Sequence, residues 1–208
     1  WEREGYGTAA ELHRVASDPQ WCQEYDIKGE TVEGYLFPNT YQISEGTPPR
    51  QAIKMMLNEF NRQWTTPLRE EAKSLGLSTH EVITLASIIE KEAKCPDERP
   101  VISAVFHNRL RLGWRLDADV TVLYALGNPK RRLTSADLSV ASPYNTYTYK
   151  GLPPGPICNP GIASILAALR PASVPYLYFV AVGDGRHYFS TTLNEHQDMI
   201  HQIKRDVN

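Results

Sequence analysis

Glu90 and Glu92 stand two residues apart at the polar end of the apolar run LASIIEKEAK, residues 85–94. A facing pair of carboxylates is what acid and base chemistry on a glycosidic bond uses. Residues two apart on a helix, however, point to nearly opposite sides, so at most one of these two lines a given cleft. Counting back three, four and seven positions puts Ile89, Ile88 and Leu85 beside Glu92, and Ser87, Ala86 and Ile83 beside Glu90. Glu92 has the more apolar neighbourhood. A carboxyl held against apolar walls has its charged form disfavoured and keeps a proton to donate near neutral pH. The competing reading is that both glutamates are solvated last-turn residues, with Lys91 and Lys94 completing the surface.

A second chemical signal is SPYNTYTYKGLPPGPICNPG, residues 142–161. Tyr144, Asn145, Tyr147 and Tyr149 offer flat faces with hydroxyl or amide groups, a surface that stacks on sugar rings while bonding their hydroxyls. Pro153, Pro154, Pro156 and Pro160 stiffen it at low entropic cost. A Pro-rich connection with its tyrosines packed on the core explains the same composition equally well. Asn145 stands out because its amide can donate to a substrate carbonyl and accept an acid proton.

The elements that must position these groups follow from periodicity and punctuation. A helix is expected over Thr8 to Ser17, and another over Arg50 to Trp64 with Ile53, Met56, Leu57 and Phe60 on one face. Ser78 and Glu81 form a capping-box pattern opening the helix of the two glutamates, which should stop near Cys95-Pro96. A helix over Asp97 to Leu112 presents Asn108 and Arg109 near its end, and Gly113 breaks it. Short helices are expected at Asp119 to Leu126 and Ser135 to Leu138. Thr31 to Ser44 reads as strand and turn, and Tyr176 to Val182 with His187 to Thr191 as a hairpin about Gly183-Asp184-Gly185. Asn194 is placed as the cap of a terminal helix. These elements add up to an α+β fold, a helical core around a cleft with small antiparallel β elements from the Glu33 region and the hairpin.

Composition narrows the function classes. The 208 residues, 41% hydrophobic, suit one compact unit of one or two sub-domains. Twenty-two basic against 24 acidic residues argue against a nucleic-acid groove or an acidic membrane surface as partner. Cys22, Cys95 and Cys158 lack a CxxC spacing, so one disulfide and one free thiol remain open. No apolar run approaches the roughly 20 residues of a membrane span. The chain opens at Trp1 rather than Met and reads as a piece of a longer protein. A metal hydrolase built on Cys95, His107, His187, His196 and His201 finds little support, because these lack HExxH or any tight ligand spacing.

The sequence resembles the MltG (YceG-like) endolytic murein transglycosylases. The resemblance rests on EGYLFPNTY from Glu33, LASIIEKE from Leu85, FHNRLRLGWRLDAD from Phe106, YNTY from Tyr144, GLPPGPICNPG from Gly151, and YLYFVA and HYFSTTLNEH near the end. These blocks run from about Thr31 to His196, and the residues before Thr31 fit only loosely. The domain expectation is therefore a helical lead-in over 1–30 and a catalytic domain over 31–208. One departure is Val120, where the family commonly has proline; the cysteines also lie outside the pattern.

The resemblance implies cleavage of peptidoglycan strands between N-acetylmuramic acid and N-acetylglucosamine, within the strand, leaving 1,6-anhydro ends. It places the catalytic glutamate on Glu92, in agreement with the helix-face argument. Tyr144, Asn145 and Tyr147 are expected glycan contacts, with Glu33, Tyr35, Asn108, Arg109 and Asp119 shaping or lining the cleft. Arg109 and Asp119 fit a structural ion pair equally well. No metal or other cofactor is expected. The resemblance further implies an N-terminal single-pass anchor in the bacterial inner membrane and a LysM-like sub-domain, both outside this chain. It also implies a catalytic domain on the periplasmic side and peptidoglycan synthases (penicillin-binding proteins) as partners. A non-catalytic glycan-binding module and a lysozyme-like hydrolase remain the alternatives.

Overall fold

The computed structural model describes residues 2–127 and 133–206. Helices α1 (Ala9–Ala16), α2 (Gln20–Glu24), α3 (Pro49–Gln63), α4 (Thr66–Ser74) and α5 (Thr79–Glu92) come first. After them come α6 (Arg99–Arg111), α7 (Asp119–Ala125), α8 (Ile162–Leu169), strands β1 (Tyr178–Ala181) and β2 (His187–Ser190), and α9 (Leu193–Asp206). The architecture is α+β, as expected.

Helix α5 is the axis of the core. Eight consecutive residues, Val82 to Ile89, are buried, so neighbours cover it on every side, chiefly α8, α6, α7 and α4. Its start is fastened by the capping box, with Glu81 N donating to Ser78 Oγ at 3.2 Å and Ser78 N to Glu81 Oε2 at 2.8 Å. It ends at Glu92, three residues before Cys95, because Ala93 turns extended. A 3-10 turn over Pro96–Glu98 then leads into α6, which starts at Arg99.

Residues 31–44 form no strand; among the described residues only β1 and β2 pair. A side chain takes the place of a partner strand there: Asn159 Oδ1 accepts from Gly34 N at 2.7 Å and from Leu36 N at 3.2 Å. Gly34 sits at φ +89°, and a Cβ there would come within 2.4 Å of Pro156 Cγ, so this turn admits glycine alone without rearrangement. The proline-rich loop is fastened to α5 as well, through His80 Nε2 to Pro154 O at 2.7 Å and Ile157 N to Ser87 Oγ at 3.0 Å.

Periodicity does not announce α2, α4 or α8. Residues 162–169, IASILAAL, are apolar at nearly every position and so show no stripe. The expected 135–138 helix is a 3-10 turn over Asp137–Ser139. Helix α9 is capped by Thr192, not Asn194: Thr192 N donates to Glu195 Oε2 and Glu195 N to Thr192 Oγ1. Near the start, Trp21 and Ile27 share one core cluster with Ile53, Leu57 and Phe60 of α3, and α1 packs on the same helix. No helix among the described residues is long and apolar enough to cross a membrane. All three cysteines are free thiols.

Candidate active site

The two glutamates at the end of α5 have separate surroundings. Glu90 accepts the Ser164 hydroxyl and the Gly161 N–H at the start of α8, where a carboxylate suits the positive end of the helix. Glu92, on the other side, lines a cleft of about 530 Å³. No hydrogen bond reaches its carboxyl from the described residues. Burial pushes its pKa up to about 8, and the nearby charge of Asp119 adds to the effect. The carbonyl end of α5 acts in the same direction. The carboxyl therefore favours its protonated form at neutral pH.

Asp119 and Tyr147 form the wall beside it. Tyr147 donates its hydroxyl to Asp119 Oδ1 at 2.6 Å, and burial and this carboxylate together push the phenol's pKa up. Asp119 opens α7, while Thr146 pins the tyrosine loop against it. Ala118 N donates to Thr146 Oγ1 at 3.0 Å, and the hydroxyls of Thr121 and Thr146 meet at 2.9 Å. Arg109 also lines the cleft and pairs with Asp117 at 3.2 Å rather than with Asp119. Its Nε donates to Leu177 O and its Nη1 to Leu116 O, both at 2.7 Å. Its guanidinium lies 5.2 Å from the Tyr178 ring, so the same arginine aligns β1 and fixes the turn before α7.

Of the expected residues, Glu92, Asp119, Tyr147 and Arg109 converge on the cleft. Asn145 does not, being fully buried. Its Nδ2 donates to Leu138 O and Val140 O, and its Oδ1 accepts from Tyr147 N. Both of its amide hydrogens and its carbonyl oxygen are engaged in shaping its own loop. Tyr35 is likewise buried, its hydroxyl 3.1 Å from His80 Nδ1. Asn108 donates to Val174 O and Tyr176 O, which clamps the chain entering β1 outside the cleft. Glu33 accepts from the Tyr124 hydroxyl at 2.6 Å and lines a separate hollow of about 450 Å³ with Lys91. The Tyr144 ring lies 4.8 Å from that of Tyr124, on the same side of the molecule.

Sequence spacing gives no signal for four other lining residues, Asp117, Tyr178, His187 and His196. They reach the cleft from the turn before α7, from the hairpin and from α9. Asp117 holds φ +48°, and burial pushes its carboxyl pKa up against the pull of Arg109 and Arg115. His196 stacks on Tyr178 with ring centroids 5.4 Å apart. Burial, then the charge of Arg109, pushes its pKa down. His187 Nδ1 lies 2.8 Å from Glu98 Oε2. His107, in contrast, is turned toward Ala168 O at 2.8 Å. Among the described residues no three His, Cys, Asp or Glu side chains converge to hold a metal ion.

Comparison with known proteins bears on the whole chain. The chain is 44% identical over 166 residues to the endolytic murein transglycosylase of Bacillus subtilis, covering 79% of this chain and 46% of that protein. It is 35% identical over 192 residues to the endolytic murein transglycosylase of Streptococcus pneumoniae strain D39, covering 88% of this chain and 35% of that one. It thus spans less than half the length of these curated relatives. A crystal structure of a YceG-like protein from Listeria monocytogenes superposes with a TM-score of 0.85 at 40% identity, covering 93% of this chain and 68% of that one. The YceG-like family matches residues 3–202, reaching upstream of the blocks that begin near Thr31. With a family match of that extent and a shared fold, the chain belongs to the YceG-like family.

Proposed function

We propose that this chain carries the catalytic centre of an endolytic murein transglycosylase, with Glu92 as its acid and base. The observation that carries the reading is the Glu92 carboxyl itself: recessed in a cleft, unpartnered among the described residues, and with its pKa pushed up to about 8. The names of the Bacillus and Streptococcus relatives support the same chemistry.

In this mechanism protonated Glu92 donates to the oxygen bridging muramic acid C1 and the next sugar. The bond breaks through an oxocarbenium-like transition state. The resulting Glu92 carboxylate takes the proton of the muramic acid C6 hydroxyl as that oxygen closes on C1, giving a 1,6-anhydro end and restoring the acid. The nucleophile belongs to the substrate, so its proximity does what a water or second carboxylate does in a hydrolase. Asp119, beside Glu92, adds to burial in keeping that acid protonated and offers negative charge to the developing cation. Tyr147 fixes the Asp119 carboxylate. Arg109 holds β1 and the turn before α7 in place around the cleft.

Peptidoglycan glycan strands are the proposed substrate. By the same resemblance the parent protein works on the outer face of the cytoplasmic membrane, anchored there beside peptidoglycan synthases. The test is mass spectrometry of products released from purified peptidoglycan by this chain and by its Glu92→Gln form. Anhydro-muramic ends from the unmutated chain alone support the assignment. Reducing ends indicate a hydrolase, and strand binding without product indicates a binding module.

A further inference from the structure

Beside the Glu92 carboxyl, the cleft is also lined by one member of a buried acid–imidazole pair that the transglycosylase mechanism does not use. Glu98, in the 3-10 turn before α6, meets His187 at the start of β2 through two contacts. Its Oε1 accepts the His187 backbone N–H at 3.0 Å, and its Oε2 lies 2.8 Å from the ring Nδ1. Both side chains are more than nine-tenths buried. With the carboxylate on the Nδ1 side, that nitrogen carries the hydrogen. In the neutral ring Nε2 is then the acceptor.

Nε2 has no partner among the described residues, and His187 lines the same cavity as Glu92. Its direct cross-strand neighbour is Ala181, also on that lining, whose single methyl covers little of the ring. Phe179 meets the ring edge-on at 5.3 Å between centroids, fixing the plane in which Nε2 points. A tether for the hairpin does not require this pair. Replacing both partners of a buried hydrogen bond by apolar groups of the same shape is often nearly neutral for stability, and Phe179 already packs edge-on against Phe106 of α6.

We infer that Glu98 and His187 form a substrate-contacting pair, in which His187 Nε2 accepts a hydrogen bond from a sugar hydroxyl of the strand held against Glu92. Glu98 is the positioning residue that fixes the tautomer and the ring. The inference names a contact within the cleft of the proposed function and rests on that reading for its ligand class. Asp119, Tyr147 and His187 then line the one cleft that holds the sugar.

Two substitutions separate a contact from a tether. In His187→Asn the amide nitrogen replaces Nδ1, keeps the bond to Glu98 and removes the cleft acceptor. In His187→Gln the amide group replaces Nε2 and offers an acceptor to the cleft. Binding of soluble, uncrosslinked glycan strands is measured by calorimetry in the Glu92→Gln background, where strands stay intact, and release of anhydro ends is measured in the active background. The expected result is a folded His187→Asn with a modestly lowered melting temperature and about tenfold weaker strand binding, the binding largely recovered in His187→Gln. Parent-like binding by His187→Asn, or equal losses in both, would overturn the inference.

If either variant fails to fold, the His187 ring nitrogens of the Glu92→Gln protein, with His187 intact and strands uncut, report directly by nitrogen-15 resonance. The Nε2 signal is expected to move on strand addition, and a stationary signal refutes the contact. Because binding is read apart from cleavage, strands bound through His187 but left without anhydro ends would sink the catalytic reading alone. Normal cutting that is indifferent to His187→Asn would sink this inference alone.

Discussion

The Tyr147 hydroxyl donates to Asp119 Oδ1 across 2.6 Å, joining the tyrosine loop to the first turn of α7 beside the Glu92 carboxyl. Asp119 is in turn the charged neighbour that helps hold the Glu92 proton, second to burial. The acid of the proposed mechanism is thus set by residues well downstream of its own helix.

Asp119→Asn keeps an oxygen to accept from Tyr147 but removes the negative charge. The Glu92 pKa should fall, though burial still holds it above an ordinary carboxyl. Activity that needs the protonated acid declines as pH rises through about 8 in the parent. The alkaline limb of kcat/KM should therefore move to lower pH in the variant, with a severalfold loss at pH 8. An unmoved limb would remove Asp119 from the electrostatics of the acid.

Glu92 should weaken the fold at the pH where it works. Its folded pKa of about 8 lies above the ordinary 4.5. Below about 4.5 both states hold the proton and nothing is lost; between there and about 8 the unfolded chain ionises first, and stability falls. Glu92→Gln should accordingly melt several degrees above the parent at pH 8, given roughly 2–4 °C per kcal/mol at this chain length. The gain should vanish near pH 4. Melting curves at the two pH values decide it.

Glu90→Gln still accepts the Ser164 hydroxyl but loses the charge at the start of α8. It should cost about 0.5–1 kcal/mol of stability and leave cleavage close to the parent's. A loss of cleavage as deep as that of Glu92→Gln would defeat the separation of the two glutamates.

Asn145→Ala strips partners from two carbonyls and one N–H of its own loop, since the side chain serves Leu138, Val140 and Tyr147. The expected cost is roughly 2–4 kcal/mol, read as a lowered melting temperature. Normal stability with weakened strand binding would instead make Asn145 a glycan contact.

These last two positions also mark what was legible in the sequence. Helical spacing separated Glu92 from Glu90, although both stand on a helix buried all round; the difference lies in what faces each, the start of α8 or the cleft. The α5 and α9 starts carried capping-box residues in the sequence, but at α9 the box begins at Thr192 and not Asn194. Asn145 shows the opposite limit, because an amide in a loop of polar residues can bind a ligand or its own backbone, and composition does not say which. Helix α8 escaped because a uniformly apolar run has no period. Tyr35 and its neighbours suggested a strand whose partner turned out to be the single side chain of Asn159. Asp117, Tyr178, His187 and His196 meet only through tertiary folding.

The most direct measurement is digestion of purified peptidoglycan strands in water labelled with oxygen-18, followed by mass spectrometry of the new ends. If Glu92 directs intramolecular closure by the C6 hydroxyl, the products carry anhydro-muramic ends without label, and Glu92→Gln yields none. Labelled reducing ends, or undiminished product from Glu92→Gln, would contradict it.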